Sequence, residues 1–158
     1  VSIVIFTDFQ CPYCIKLAPL LDQVYEKNKD KVKVYFKNMP LQFHEMAEPA
    51  ALAALAAGEQ GKFWEFHDLV FTPPADGSRR SLTAENLKLL AGELGLKQAD
   101  FDTCLDSGKY EELVQNQTQT LQGIGVSSTP SFIVNGQPIV GAQPFANFQQ
   151  VIEAELAK

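Results

Sequence analysis

Two cysteines three residues apart, Cys11 and Cys14, enclose a proline and a tyrosine in the segment Cys11-Pro12-Tyr13-Cys14. A pair at this spacing can cycle between dithiol and disulfide, form half of a tetrahedral zinc site, or pack as two small apolar side chains. Redox use needs a thiolate, and a free cysteine with a pKa of about 8.5 is only a few per cent ionised at neutral pH. Lowering that value to about 7 takes about 2 kcal/mol. A helix N-terminus with unpaired N–H groups supplies about that much in a favourable site. Zinc would need two more ligands. The candidates are Cys104, His44 and His67, and they form no second Cys-x-x-Cys or closely spaced His pair. Redox use is the favoured reading.

The flanking sequence places the pair where that chemistry needs it. Val1 to Phe6 is apolar and β-branched, as expected of a strand covered on both faces. Thr7 to Gln10 form a turn. Pro12 suits the first turn of a helix, where its missing N–H costs nothing. Ile15, Leu17, Ala18, Leu21 and Val24 then follow at helical spacing to about Asn28, with Pro19 expected to kink the helix. Lys31 to Lys37 alternates charged and apolar residues, a second strand. Strand, helix and strand make a right-handed βαβ unit with parallel strands. Cys11 thereby falls at the C-terminal end of a strand and the start of a helix.

Residues 39–122 read as largely helical, interrupted by a Pro/Gly loop at Thr72 to Arg80. Ser81 or Thr83 can cap a helix closed by Gly95. Ser131 to Val134 and Gln137 to Val140 read as a hairpin about Asn135-Gly136. Phe145 to Leu156 closes the chain as an amphipathic helix. The expected plan is one domain over residues 1–158. Its α/β core has four strands, with a helical insertion after the second.

Composition narrows the partners. The chain has 158 residues, 46% hydrophobic and 20% charged, which is ordinary for a globular domain. Three cysteines are too few for a disulfide framework. Thirteen basic against 19 acidic side chains give a net charge of −6, a poor match for nucleic acid. No run reaches the ~18 apolar residues of a membrane helix. The N-terminus shows no signal-peptide pattern, as in a mature, trimmed or cytosolic chain.

Phe6-Thr7-Asp8-Phe9-Gln10-Cys11-Pro12-Tyr13-Cys14 with Pro19 resembles the active-site segment of thioredoxin-fold oxidoreductases. Ser128-Thr129-Pro130-Ser131-Phe132 with Val134-Asn135-Gly136 resembles that fold's cis-proline loop and final hairpin. The long helical insert is similar to that of the DsbA-like thiol–disulfide oxidoreductases. The resemblance spans nearly the whole chain, short at most of an N-terminal extension. It implies a thioredoxin fold with a mixed central sheet. Cys11 is then the nucleophile and Cys14 the buried resolving thiol. Pro130 is the cis-proline, and Thr129 pairs its backbone with a bound peptide. Phe9 and Tyr13, flanking the nucleophile, are expected to offer an apolar surface to unfolded polypeptide, with core packing the alternative for Phe9.

Three positions depart from the family pattern. Ile5 stands where many relatives place a buried acid on the first strand, leaving Asp8 and Glu45 as loose candidates for a proton relay, Asp8 being first a turn residue. The Pro-Tyr dipeptide replaces the Pro-His of the best-known DsbA proteins, so the thiolate is expected to be less stabilised. Cys104 is extra and reads as a buried small hydrophobe. His44 reads as a helix-start or packing residue, and His67 as core of the insert.

The expected function is oxidation of exported protein thiols through the Cys11–Cys14 disulfide, with no dissociable cofactor and no metal. Reduced or unfolded proteins would be the substrates, and a membrane partner would reoxidise the dithiol. The resemblance implies a periplasmic or other extracytoplasmic location and a monomer. The alternatives are a reductase or isomerase of the same fold, or a non-catalytic peptide-binding, chaperone-like module.

Overall fold

The computed structural model describes residues 1–158. Strand β1 (Ser2–Thr7), helix α1 (Pro12–Asn28) and strand β2 (Lys33–Asn38) form the opening βαβ unit. Helices α2 (Ala47–Glu59), α3 (Phe63–Phe71), α4 (Ala84–Glu93), α5 (Gln98–Asp106) and α6 (Glu111–Gly123) follow. Strands β3 (Ser131–Val134) and β4 (Gln137–Val140) and helix α7 (Phe145–Leu156) end the chain. The sheet runs β2-β1-β3-β4. β1 is parallel to β2 and antiparallel to β3, and β3 is antiparallel to β4. This is the mixed four-stranded sheet of the thioredoxin fold, with five helices between its second and third strands.

Local chemistry explains the boundaries. Pro19 lies inside α1 without ending it. The N–H groups of Lys31 and Val32 both donate to the Asn28 carbonyl, at 2.8 and 3.0 Å, so β2 begins at Lys33 rather than Lys31. Residues 40–46 form turns, and helix starts only at Ala47. Thr83 caps α4, its hydroxyl accepting from the Asn86 N–H at 3.4 Å. In the hairpin Asn135 and Gly136 both have positive φ, 45° and 89°, the conformation a two-residue type I′ turn demands.

Three clusters hold the elements together. Ile3, Ile5, Phe132 and Val134 on one sheet face pack under Leu17 and Val24 of α1 and Phe148 and Ile152 of α7. On the opposite face Phe6 packs with Met39 and with Leu121 of α6. The largest cluster belongs to the insert, where six buried alanines of α2 (Ala50, Ala51, Ala53, Ala54, Ala56, Ala57) are packed by Phe66, Leu87, Leu90 and Phe101. Small side chains let α2 lie at the centre of the other helices. Cys11, Cys14 and Phe9 belong to this cluster. The dithiol therefore sits on the seam between the sheet and the insert.

Candidate active site

The β1–β2 ladder continues one residue past the end of β2, because the Met39 N–H donates to Thr7 O at 2.9 Å. The chain must then turn away before α1. Cys11 takes the N-cap position with extended backbone (φ −69°, ψ 121°), and Pro12 opens the helix. No side chain caps this terminus. The N–H groups of Tyr13 and Cys14 are instead left facing the Cys11 sulfur.

Cys11 and Cys14 are free thiols, each 3% exposed. Their environments divide them. The Cys14 thiol donates to Cys11, and this bond does most to lower Cys11 from an ordinary 9.0 to about 5. Burial opposes the shift, while the Thr129 hydroxyl and the N–H groups of Cys14 and Tyr13 assist it. The same sulfur–sulfur bond, with burial, raises Cys14 well above the ordinary thiol range, and the Asp8 N–H offsets this in part. One sulfur is therefore held as thiolate and the other as thiol.

Thr129 and Pro130 come from the far end of the sequence to face this pair. The Thr129–Pro130 peptide is cis. The Cys11 thiol lies 3.5 Å from Thr129 O. The Thr129 hydroxyl is buried with no hydrogen-bond partner, yet near enough to Cys11 to favour its thiolate. An apolar cavity of about 630 Å³ opens beside Cys14, lined by Ile5, Leu17, Trp64, Phe71 and Pro130 among others.

The expected aromatic surface is only half present. Tyr13 is 63% exposed, but Phe9 is 1% exposed. The Phe9 ring packs against Phe36 at 5.6 Å and Phe71 at 5.1 Å. Its assignment as a substrate contact is corrected: the turn before Cys11 directs it into the core of the insert. Phe43 (76% exposed) and Met46 at the turn before α2 supply exposed apolar surface instead. They lie close to the loop before Cys11, since the Met46 N–H donates to Gln10 Oε1 at 2.7 Å. Sequence reading passes over them because only the fold brings residues 43–46 beside residues 8–11.

Asp8 is a turn residue and more. Its Oδ1 accepts from the Gln10 N–H at 2.7 Å and the Cys11 N–H at 3.1 Å. Its Oδ2 accepts from the Leu41 N–H at 2.8 Å and meets His44 Nδ1 at 2.7 Å. Glu45 is exposed. His67 is ringed by Phe9, Phe36, Phe63, Trp64 and Phe71 and bonds Asp68 at 2.8 Å. Cys104 is buried beside Glu59, and burial raises its pKa. The residues named as extra zinc ligands are thus spread over three places, and no group of three or more Cys, His, Asp or Glu is assembled for a metal.

Residues 1–154 match a family model described as thioredoxin. Among curated proteins, the chain is 31% identical over 153 residues to the Na(+)/H(+) antiporter NhaA of Herminiimonas arsenicoxydans, covering 97% of this chain and 24% of that protein. It is 32% identical over 138 residues to Na(+)/H(+) antiporter NhaA 3 of Salinispora tropica, covering 20% of it. The chain thus spans a quarter or less of the length of these curated relatives. Among solved structures, BdbD from Bacillus subtilis superposes with a TM-score of 0.86 at 26% identity, covering 99% of this chain and 88% of that one. A periplasmic thioredoxin-like protein from Salmonella enterica serovar Typhimurium gives 0.81 at 27%, covering 99% and 84%. The thiol-disulfide exchange protein alpha-DsbA2 from Wolbachia pipientis shares the fold, with a TM-score of 0.82 at 23% identity, covering 98% and 81%.

Proposed function

The chain belongs to the thioredoxin family, with the architecture of DsbA-like thiol–disulfide oxidoreductases, and from that premise we propose that it oxidises thiols of exported proteins through Cys11 and Cys14. The observation that carries this reading is the asymmetry of the pair: Cys11 favours thiolate down to about pH 5 while Cys14 is held as thiol. A stabilised thiolate makes Cys11 a good leaving group and stabilises the reduced form, so electrons flow from substrate to protein.

The exchange balances in two steps. A substrate thiolate attacks Cys11 Sγ in the Cys11–Cys14 disulfide. The protein's S–S bond breaks, a mixed disulfide forms at Cys11, and Cys14 takes the electron pair and then a proton. A second substrate thiolate attacks the substrate sulfur of the mixed disulfide, and Cys11 leaves as thiolate. The substrate has lost two electrons and the protein has gained them. Reoxidation passes them to an acceptor disulfide, for which a membrane partner is the proposed source. Thr129 O, 3.5 Å from the Cys11 sulfur, offers a peptide substrate a backbone acceptor, and Tyr13 offers it an exposed apolar face. Pro12 fixes the helix start that aims the Tyr13 and Cys14 N–H groups.

The same region recurs within proteins named as antiporters, but no helix here is long and apolar enough to cross a membrane. An extracytoplasmic setting fits a disulfide-forming role. The test is the reduction potential of the Cys11/Cys14 couple against glutathione. A value near about −120 mV supports an oxidase, and one near about −270 mV makes the protein a thioredoxin-like reductant.

A further inference from the structure

Asp8 places a carboxylate, 1% exposed, directly under the nucleophile's backbone. Its four donors come from two segments: Gln10 and Cys11 before α1, and Leu41 and His44 after β2. Four donors match the lone-pair sites of an ionised carboxylate, which can only accept. Nδ1 of His44 therefore carries the proton of their shared bond.

This arrangement poses an electrostatic problem. The carboxylate accepts from the Cys11 N–H at 3.1 Å, and a negative charge near a thiolate disfavours it. Three of its four partners are main-chain N–H groups with no net charge. His44 is the one partner that can carry a compensating positive charge. Its ring also meets the Phe43 ring at 4.5 Å centroid to centroid, and its side chain is 15% exposed. The Arg79 guanidinium, which donates to Gln10 O, is exposed and meets the loop's carbonyl rather than the carboxylate.

We propose that His44, acting through Asp8, is a positioning and charge-balancing residue for Cys11: it holds the loop after β2 against the nucleophile's loop and offsets the negative charge that the carboxylate places beside the Cys11 backbone. The proposal rests on Cys11 being the redox nucleophile. It gives the site a charge partner drawn from the helical insert, in a protein whose first strand carries Ile5 and no acid.

The experiment titrates the ultraviolet thiolate absorbance of the reduced protein in wild type, His44→Ala and His44→Gln, and equilibrates each with glutathione. Glutamine keeps an N–H donor for Asp8 but no charge. At fixed pH near the wild-type midpoint, both variants are expected to lower the thiolate-to-thiol ratio of Cys11 about three- to tenfold, the size of a nearby-charge effect at a partly screened site. The couple becomes more reducing in step. An unmoved ratio in His44→Gln overturns the proposal and leaves His44 as a hydrogen-bonding brace. A wild-type protein that does not exchange with glutathione at all overturns the oxidoreductase reading instead.

Discussion

The Cys11 sulfur lies 3.5 Å from the main-chain oxygen of Thr129, a residue 118 positions further along the chain. The same threonine turns its unpartnered buried hydroxyl towards the sulfurs. Thr129→Val keeps the backbone and the volume but removes that hydroxyl. The expected result is a Cys11 thiolate midpoint raised by up to about one pH unit, because one of several donors is lost. Thiolate absorbance against pH reads this, and a midpoint at or below that of wild type contradicts the assignment.

Cys11 and Cys14 should fail differently when replaced. Cys11→Ser leaves no nucleophile for the mixed disulfide, so oxidation of a reduced protein falls to the uncatalysed rate. Cys14→Ser leaves Cys11 reactive but removes the resolving sulfur, so covalent adducts accumulate at Cys11. Mass analysis after acid quenching measures both. Adducts on the Cys11→Ser protein instead would reverse the two roles.

The pH dependence of the reduced form follows from the lowered value of Cys11. Its thiolate forms at about 5 in the folded protein against an ordinary 9.0. The unfolded chain therefore holds more protons between these values, and folding stability rises with pH across the window. The contribution is fully present above about 9 and is lost as pH falls through about 5. The raised value of Cys14 acts only above the ordinary thiol range, outside this window at neutral pH and below. The disulfide form has no such thiolate. Urea midpoints of the two forms between pH 5 and 8 should show the reduced form gaining on the oxidised one, and parallel curves would contradict it.

Phe9 and Tyr13 stand four residues apart and should behave as opposites. Phe9→Ala removes a fully buried ring and is expected to cost about 3–5 kcal/mol in denaturant unfolding. Tyr13→Ala removes a side chain that is 63% exposed and should cost under about 0.5 kcal/mol. Its effect belongs in KM for a protein substrate. Equal stabilities of the two variants would place Phe9 back on the surface.

Most of the frame is legible in the residues. Apolar Val1–Phe6, Pro12 at a helix start, the alternation before Asn38 and the Asn135-Gly136 turn each encode local geometry, and the elements form where those signals stand. The local signals err by a few residues at element ends. β2 starts at Lys33 because Lys31 and Val32 are used to close α1, a competition between neighbouring hydrogen bonds that no single-residue preference displays. Phe9 was equally fit for surface or core by type alone, and packing against Phe36 and Phe71 decides it.

The sequence by itself determined the reagent: two cysteines at a spacing that permits a disulfide, at a strand-to-helix junction where unpaired N–H groups gather. Those are properties of a dozen consecutive residues, set by backbone geometry and helix electrostatics. What else surrounds the Cys11 sulfur was decided only in three dimensions. Thr129 reaches Cys11 from β3's side of the sheet, and His44 reaches Asp8 from the loop after β2. Such contacts depend on strand order and on the insert folding over the seam. Charge and hydrogen-bond effects at this range act through space rather than along the chain, so residues 118 and 36 positions apart meet around one site.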